Sequence, residues 1–342
     1  MTPMHGTPET EPYLVLAQEI MRRVYADVDG PTLNQWILHQ LGRLGTAAGD
    51  EAFIPWLESL VQYDEIINDI RSRAELPADQ RRELVWPWAS WNAFLDPLEP
   101  GMLAVLAGAD GSGKTIYAES LAEHWAKAGA QVLFVHFELN KRVMWHRRAS
   151  RHTSLDYRTL RQGALGFDNE LHDARQTLER FPGGVHYLPT PGWTMERVLQ
   201  EATRRNNDGT CDVIVLDYLE KAAPSERQTK LYRDLWMREA DTVESIKTWS
   251  ESTSTPVFML SQFNKEGKGT GASNLDRTAI RGAGEKTEKA NVVILLHREK
   301  LDNGEYSSNV DVRFDKNTTG RTGNAKQYMD AAHFRVGDIV RK

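Results

Sequence analysis

At 342 residues, the chain is long enough for one large domain or two smaller ones, with a sizeable core. Its 40% hydrophobic and 26% charged residues, net charge of −6 and single cysteine exclude a positively coated nucleic-acid sleeve, a disulfide framework and a cysteine-rich zinc site. No apolar run reaches the roughly 18 residues of a membrane helix, and the opening MTPMHGTPETEP lacks the basic and apolar regions of a secretory signal. A cytoplasmic setting is the expectation.

Residues 1–11 read as a disordered tail of Pro, Thr, Glu and Gly. Residues 12–75 read as a small helical module. Leu14, Ile20, Met21, Val24 and Tyr25 suit a first helix, and Asp29-Gly30-Pro31 breaks it. Leu33, Trp36, Ile37, Leu41 and Leu44 fit a second, and Phe53, Trp56, Leu57, Leu60, Val61 and Ile66 a third. These faces either close on their own chain or dock on a neighbouring subunit. The first 84 residues hold seven arginines, no lysine and 14 acidic residues, which suits contact with a protein better than with DNA.

Residues 76–100 read as a linker and entry segment. Trp86, Trp88 and Trp91 there suit a packing cluster or, alternatively, stacking on a base. From residue 101 onward the pattern is α/β. Met102–Ala107 is an apolar strand, and Ile116–Ala128 a helix ending at Gly129. Between them stand Gly108-Ala109-Asp110-Gly111-Ser112-Gly113-Lys114-Thr115, the G-x-x-x-x-G-K-T spacing of a phosphate-binding loop. Small residues let backbone N–H groups turn toward phosphate oxygens, and the following helix N-terminus favours negative charge. Lys114 then reaches the β- and γ-phosphates of ATP, and Thr115 ligates Mg²⁺.

Three apolar strands end in polar residues that could serve this site. Val132–Phe137 leads to Glu138, which could polarise an attacking water or simply start a helix. Residues 141–182 read as basic and helical, Val185–Leu188 as a short strand and Met195–Arg205 as a helix. Cys211–Leu216 then leads to Asp217, a Mg²⁺-holding aspartate. Residues 226–252 read as one helix, and Val257–Ser261 leads to Gln262, placed to sense the γ-phosphate. Ser261–Lys289 holds five glycines and six basic residues against four acidic ones. It is either a solvated loop or one whose Lys265, Lys268, Arg277 and Arg281 meet a phosphodiester backbone. Asn291–His297 is a fifth strand. Val310–Phe314 and Lys326–Met329 flank a Gly-containing turn, Asp315–Asn324, and read as a β-hairpin; Lys316 and Arg321 at its tip serve solubility or act as finger cations on an adjacent subunit's nucleotide.

Several stretches resemble the RecA-like ATPase core, and most of all the C-terminal domain of DnaB-type replicative helicases. Trp91–Leu95 and Leu98–Met102 resemble that family's lead-in to the phosphate loop, and Val132–Leu139 its strand ending in the catalytic Glu. Leu160–Gly163 resembles its LR-x-G segment, Val213–Leu219 its IDYLQ strand and Leu260–Asn264 its LSQLNR sensor, with Lys265 replacing the arginine. Ile280–Glu285 is similar to its LRESGxIE, and Leu296–Glu299 to its IHRE. The resemblance covers about residue 85 onward. It departs where Lys316 matches the family's terminal lysine but Thr318 stands at the finger arginine, with Arg321 three residues further on.

The resemblance implies a RecA-like core with a mostly parallel sheet and a C-terminal hairpin, preceded by the helical module. It implies a ring, expected as a hexamer, that hydrolyses Mg-ATP on single-stranded DNA. Glu138, Gln262, Lys316 and Arg321 would then be catalytic. Gly108, Asp110, Gly111, Ser112, Gly113, Lys114 and Thr115 would bind nucleotide, and Thr115 and Asp217 the metal. The altered finger and acidic module leave a second reading open: a RecA- or KaiC-like ATP-dependent regulator with slow hydrolysis. A filament-forming recombinase fits the DYL and SQ-x-N stretches less well.

Overall fold

The structure, a computed structural model, describes residues 19–20, 22–23, 33, 56–75, 83–138, 141–217, 219–264, 278, 280 and 283–339. The chain divides into two compact units, Met1–Leu76 and Pro77–Lys342. In the first unit, helix α1 spans Trp56–Glu75, and Leu60, Val61, Tyr63, Ile66 and Ile70 on it are exposed. The tail expected over 1–11 lies outside the described residues, as do most of the helices expected over 12–26 and 33–44.

The second unit opens with a short helix α2 (Ala89–Asn92) and continues through β1 (Leu103–Gly108), α3 (Lys114–Lys127) and β2 (Gln131–His136). Helices α4 (Lys141–His152), α5 (Tyr157–Arg161) and α6 (Asp168–Glu179) precede β3 (Gly184–Pro189), α7 (Met195–Asn207) and β4 (Val213–Asp217). A 3-10 turn (Leu219–Lys221) leads to α8 (Glu226–Leu231), α9 (Leu235–Thr253) and β5 (Val257–Gln262). Then follow α10 (Ala283–Lys289), β6 (Val292–His297), β7 (Asn309–Asn317), β8 (Gly323–Asp330) and β9 (Arg335–Asp338).

The strands form one sheet in the order β3-β2-β4-β5-β1-β6-β7-β8-β9. It is parallel from β3 to β6 and antiparallel from β6 onward. The inner parallel strands β2, β4, β5, β1 and β6 are buried along nearly all of their length because both faces are covered, whereas the edge strand β3 is only partly buried. Alternate residues split between two cores. Ala104, Leu106, Phe134, Val215, Phe258 and Ile294 face one layer with Tyr117, Leu121 and Trp125 of α3. Leu103, Val105, Leu133, Ile214, Met259 and Val293 face the other, with Val198 and Ala202 of α7 and Val243 and Ile246 of α9.

Trp86, Trp88 and Trp91 lie in the first of these cores. The segment read as linker and entry is thus buried where they stand. Trp91 stacks on Tyr117 at 5.6 Å and meets Trp88 at 4.6 Å. Each indole N–H has an acceptor: Trp86 on the Asp96 carbonyl, Trp88 on that of Val336, and Trp91 on Gln327 Oε1. An indole buried without such a partner would forfeit the hydrogen bond it makes in water.

The single helix expected over 226–252 is two. Tyr232 is extended (φ −120°, ψ 121°), and a Ser225–Gln228 capping box starts α8. The reason is tertiary: the buried Gln228 amide donates to Asp241 Oδ2 and Thr242 Oγ1 of α9, both at 2.9 Å. A straight helix would leave that amide unpaired. The basic stretch 141–182 likewise divides into α4, α5 and α6. No helix among the described residues is long and apolar enough to cross a membrane.

Candidate nucleotide site

Strand order places the site. β5 lies between β1 and β4, with β2 on the far side of β4. The C-terminal ends of these four strands carry, from β1 outward, the phosphate loop, Gln262, Asp217 and Glu138. This end of a parallel sheet is where ligands sit in open α/β folds.

The loop turns on Gly111 (φ 78°) and Gly113 (φ 95°), both in the left-handed region where glycine avoids strain. A Cβ at Gly108 would sit 2.5 Å from Ser112 Oγ, and one at Gly111 would sit 2.5 Å from the Tyr306 ring. The loop closes over Lys114, whose Nζ donates to the Gly108 and Ala109 carbonyls at 2.8 and 3.0 Å. Ser112 is buried, and its Oγ has no hydrogen-bond partner among the described residues. The result is a glycine turn at the start of α3 that holds the Lys114 ammonium and the Ser112 hydroxyl, an arrangement that suits a polyphosphate.

Across the sheet, Thr115 Oγ1 lies 3.4 Å from Asp217 Oδ1. A hydroxyl and a carboxylate so placed are the oxygen donors that Mg²⁺ takes, with water completing its shell. Asp217 is 5% exposed, and its other oxygen is 3.3 Å from Nδ1 of the fully buried His136, without hydrogen-bond alignment. His136 stacks on Phe134 at 4.3 Å. The tip of β2 is tied down by Phe137 N–H donating to the Asp217 carbonyl at 3.2 Å, which holds Glu138 beside the aspartate. The Glu138 carboxylate is half-exposed, 2.5 Å from Lys221 Nζ.

Gln262 pairs in register with Gly108, and its side-chain amide donates to Asp110 Oδ1 at 2.7 Å. Asp110, Lys114, Thr115, Gln262, Asp217 and Glu138 thus converge on one end of the sheet. A covering layer was not legible as such in the sequence. Arg298 Nη1 donates to the Gly111 carbonyl at 3.1 Å, and Tyr306 Oη to that of Asp110 at 2.8 Å. Met329 packs where Gly113 leaves room. Arg298 belongs to the LHRE stretch noted above; Tyr306 sits among polar residues with no periodicity to mark it.

Lys316 and Arg321 do not join this constellation within the chain. Lys316 lies inside β7 opposite Val293, rather than at the hairpin tip, and caps α10 by donating to the Thr287 and Glu288 carbonyls at 2.9 and 2.8 Å. Arg321, in the turn, donates to the Ala93 carbonyl at 3.2 and 2.9 Å and lies over the Phe94 ring. Lys265, Lys268, Arg277 and Arg281 lie outside the described residues. Residues flanking that stretch of sequence are described: Phe263 bridges Ile280 antiparallel, and Asn264 Nδ2 donates to the Thr278 carbonyl at 2.9 Å.

A phosphate loop on a central strand, an aspartate two strands away and a glutamate one strand further define a P-loop nucleotide-binding protein of the RecA-like fold. Residues 88–337 match the family described as DnaB-like helicase C terminal domain, and the chain belongs to that family. The replicative DNA helicases DnaB of Mycoplasma genitalium and Haemophilus influenzae are 24% and 23% identical to it, over 77% and 87% of this chain. Those matches span 58% and 63% of the relatives, so the chain covers less than two thirds of their length. Two solved structures share the fold. One is a DnaB-like replicative helicase described with its interactions with primase (TM-score 0.70, 15% identity, 97% of this chain and 77% of that one). The other is described as an ATPase domain (TM-score 0.68, 14% identity, 86% of this chain and all of that one).

Proposed function

We propose that this chain hydrolyses Mg-ATP and, as a ring of identical subunits, moves on single-stranded DNA. The observation that carries the ATPase reading is Thr115 Oγ1 set 3.4 Å from Asp217 Oδ1 beside Lys114 in its glycine cradle. Thr115 and Asp217 would hold Mg²⁺, which supplies charge neutralisation for the phosphates when bound. Lys114 and the loop N–H groups bind and orient the triphosphate. Glu138, at the tip of β2, accepts the proton of the attacking water. Gln262, already bonded to Asp110, registers the phosphate state at the strand that leads into the stem Phe263–Ile280.

The ring is supported by the hairpin: Lys316 and Arg321 sit away from their own chain's loop, as cations serving a neighbouring subunit's nucleotide must. Lys265, Lys268, Arg277 and Arg281, in the stretch of sequence after Asn264, then contact the DNA backbone, so binding should be salt-sensitive and weakly dependent on sequence. We assign the acidic helical module, residues 12–75, to contact with a protein partner, with residues 76–100 leading into an ATPase domain from 101 onward. One observation favours the slower, regulator-like reading: Lys221 stands against the Glu138 carboxylate.

Steady-state ATP hydrolysis with and without single-stranded DNA, with Lys114→Ala as the blank, tests both readings. Strong stimulation supports the motor. Slow turnover indifferent to DNA moves the assignment to the regulator, and turnover equal to the blank removes the ATPase reading.

A further inference from the structure

The residues just after Asp217 form the 3-10 turn Leu219–Lys221, and its two charged side chains go to opposite places. Glu220 is buried. Its Oε1 accepts from Lys286 Nζ and Ser261 Oγ, both at 2.6 Å, and from the Gln262 N–H at 3.2 Å. Lys286 is on α10, just past the stem Phe263–Ile280, and its ammonium is also 3.3 Å from Glu239 Oε2 of α9. Both members of the Lys286–Glu220 pair are sealed from water, with side chains 1% and 2% exposed. The next residue, Lys221, is half-exposed and meets Glu138.

Two contacts of unequal strength are therefore built on one turn. The buried pair is a fixed point, because separating two desolvated charges leaves each without compensation. The exposed pair is weak by comparison and is easily made and broken. Glu220 gathers three donors on one carboxylate oxygen, while Oε2 is buried with no partner among the described residues.

Resting on the ATPase reading above, we propose that Glu220 and Lys221 are positioning residues that join the helix after the loop stem to the catalytic glutamate. Glu220 locks the turn to α10 through Lys286 and to the sensor strand through Ser261 and Gln262. Lys221 holds Glu138 back in the resting arrangement. A shift of α10 moves the turn, draws Lys221 off Glu138 and leaves that carboxylate able to take up a proton from water. In the reverse direction, nucleotide sensed at Gln262 reaches α10 through the same carboxylate. Neither residue needs to touch the substrate.

Two variants test the joint. Lys221→Ala removes an exposed side chain. It should raise kcat without DNA about two- to five-fold, the range set by a half-exposed ion pair, with KM for ATP unchanged. Glu220→Gln keeps the shape of the side chain and leaves Lys286 its contact with Glu239. In the parent, Mg²⁺ with a non-hydrolysable ATP analogue should change hydrogen exchange in peptides spanning 278–289. Glu220→Gln should lose most of that change while binding the analogue with parental affinity, and Lys221→Ala should retain it. A fall or no change in kcat for Lys221→Ala overturns the proposal, and so does a full exchange response in Glu220→Gln. The exchange measurement needs no turnover, so it separates failure of the joint from failure of the ATPase reading, which inactivity of the parent would show.

Discussion

The phosphate loop and the β7–β8 hairpin both carry cations assigned to phosphate, yet they are built differently. The loop is assembled within its own chain. Lys114 is buried and rests on the Gly108 and Ala109 carbonyls, Thr115 faces Asp217, and Gln262 bonds Asp110. On the hairpin, Lys316 holds the last carbonyls of α10 and Arg321 holds that of Ala93, both remote from the loop. Preorganised groups act without rearrangement as charge develops, whereas the hairpin cations must first leave their present partners. On the proposed reading, nucleotide binding is built within one chain, and turnover waits on an encounter between chains.

The sharpest test of the loop is Lys114→Ala. Removing its ammonium should lower ATP turnover by roughly 10³-fold, the scale of losing a preorganised donor, as read by steady-state phosphate release. Next comes Glu138→Gln, which should cost about 10²-fold through loss of the proton acceptor while leaving the affinity for a fluorescent ATP analogue intact. A drop in affinity instead would place Glu138 in binding rather than in proton transfer. On the hairpin side, Arg321→Ala should reduce turnover about ten-fold, less than a full arginine finger, with ATP binding unchanged. An unchanged rate would remove Arg321 from the reaction and erase the proposed contrast between the two regions.

The smallest effect concerns the frame behind the loop. Arg151 of α4 is buried against Glu119 and Glu123 of α3, and His152 Nε2 is 2.8 Å from Glu123. Burial pushes the Glu123 carboxyl up, but Arg151, His152 and Arg148 more than offset it and bring it to about 2. A carboxyl depressed on folding stabilises the protein fully above its ordinary value near 4.5, and that contribution fades as pH falls toward 2. In thermal melts, Glu123→Gln should be less stable than the parent at pH 7 by on the order of 2–3 kcal/mol, with the gap closing below pH 4.5. A gap independent of pH would mean that packing, not charge, holds α4 to α3.

Much of the frame was legible because it is written in local patterns. Apolar runs such as Val213–Leu216 and Val257–Leu260 must be buried on both faces, and their polar endings mark the sheet edge where ligands sit. The glycine spacing of the loop is equally local, since φ at Gly111 and Gly113 is a property of single residues. The break at Tyr232 was not legible, because it depends on a Gln228 amide finding Asp241 and Thr242 on another helix. Tyr306 was missed for the same reason: its contact with the Asp110 carbonyl spans 196 positions of sequence.

The sequence by itself determined the apolar strands, the turn glycines and which residue types end each strand, because those follow from side-chain period and backbone freedom within a few residues. Only the tertiary structure decided which of these ends meet. Inserting β5 between β1 and β4 brings Gln262 against Asp110, sets Thr115 opposite Asp217, and puts Glu220 within reach of Lys286. Charge pairs and sealed amides of that kind depend on distances across the sheet, which no local pattern encodes.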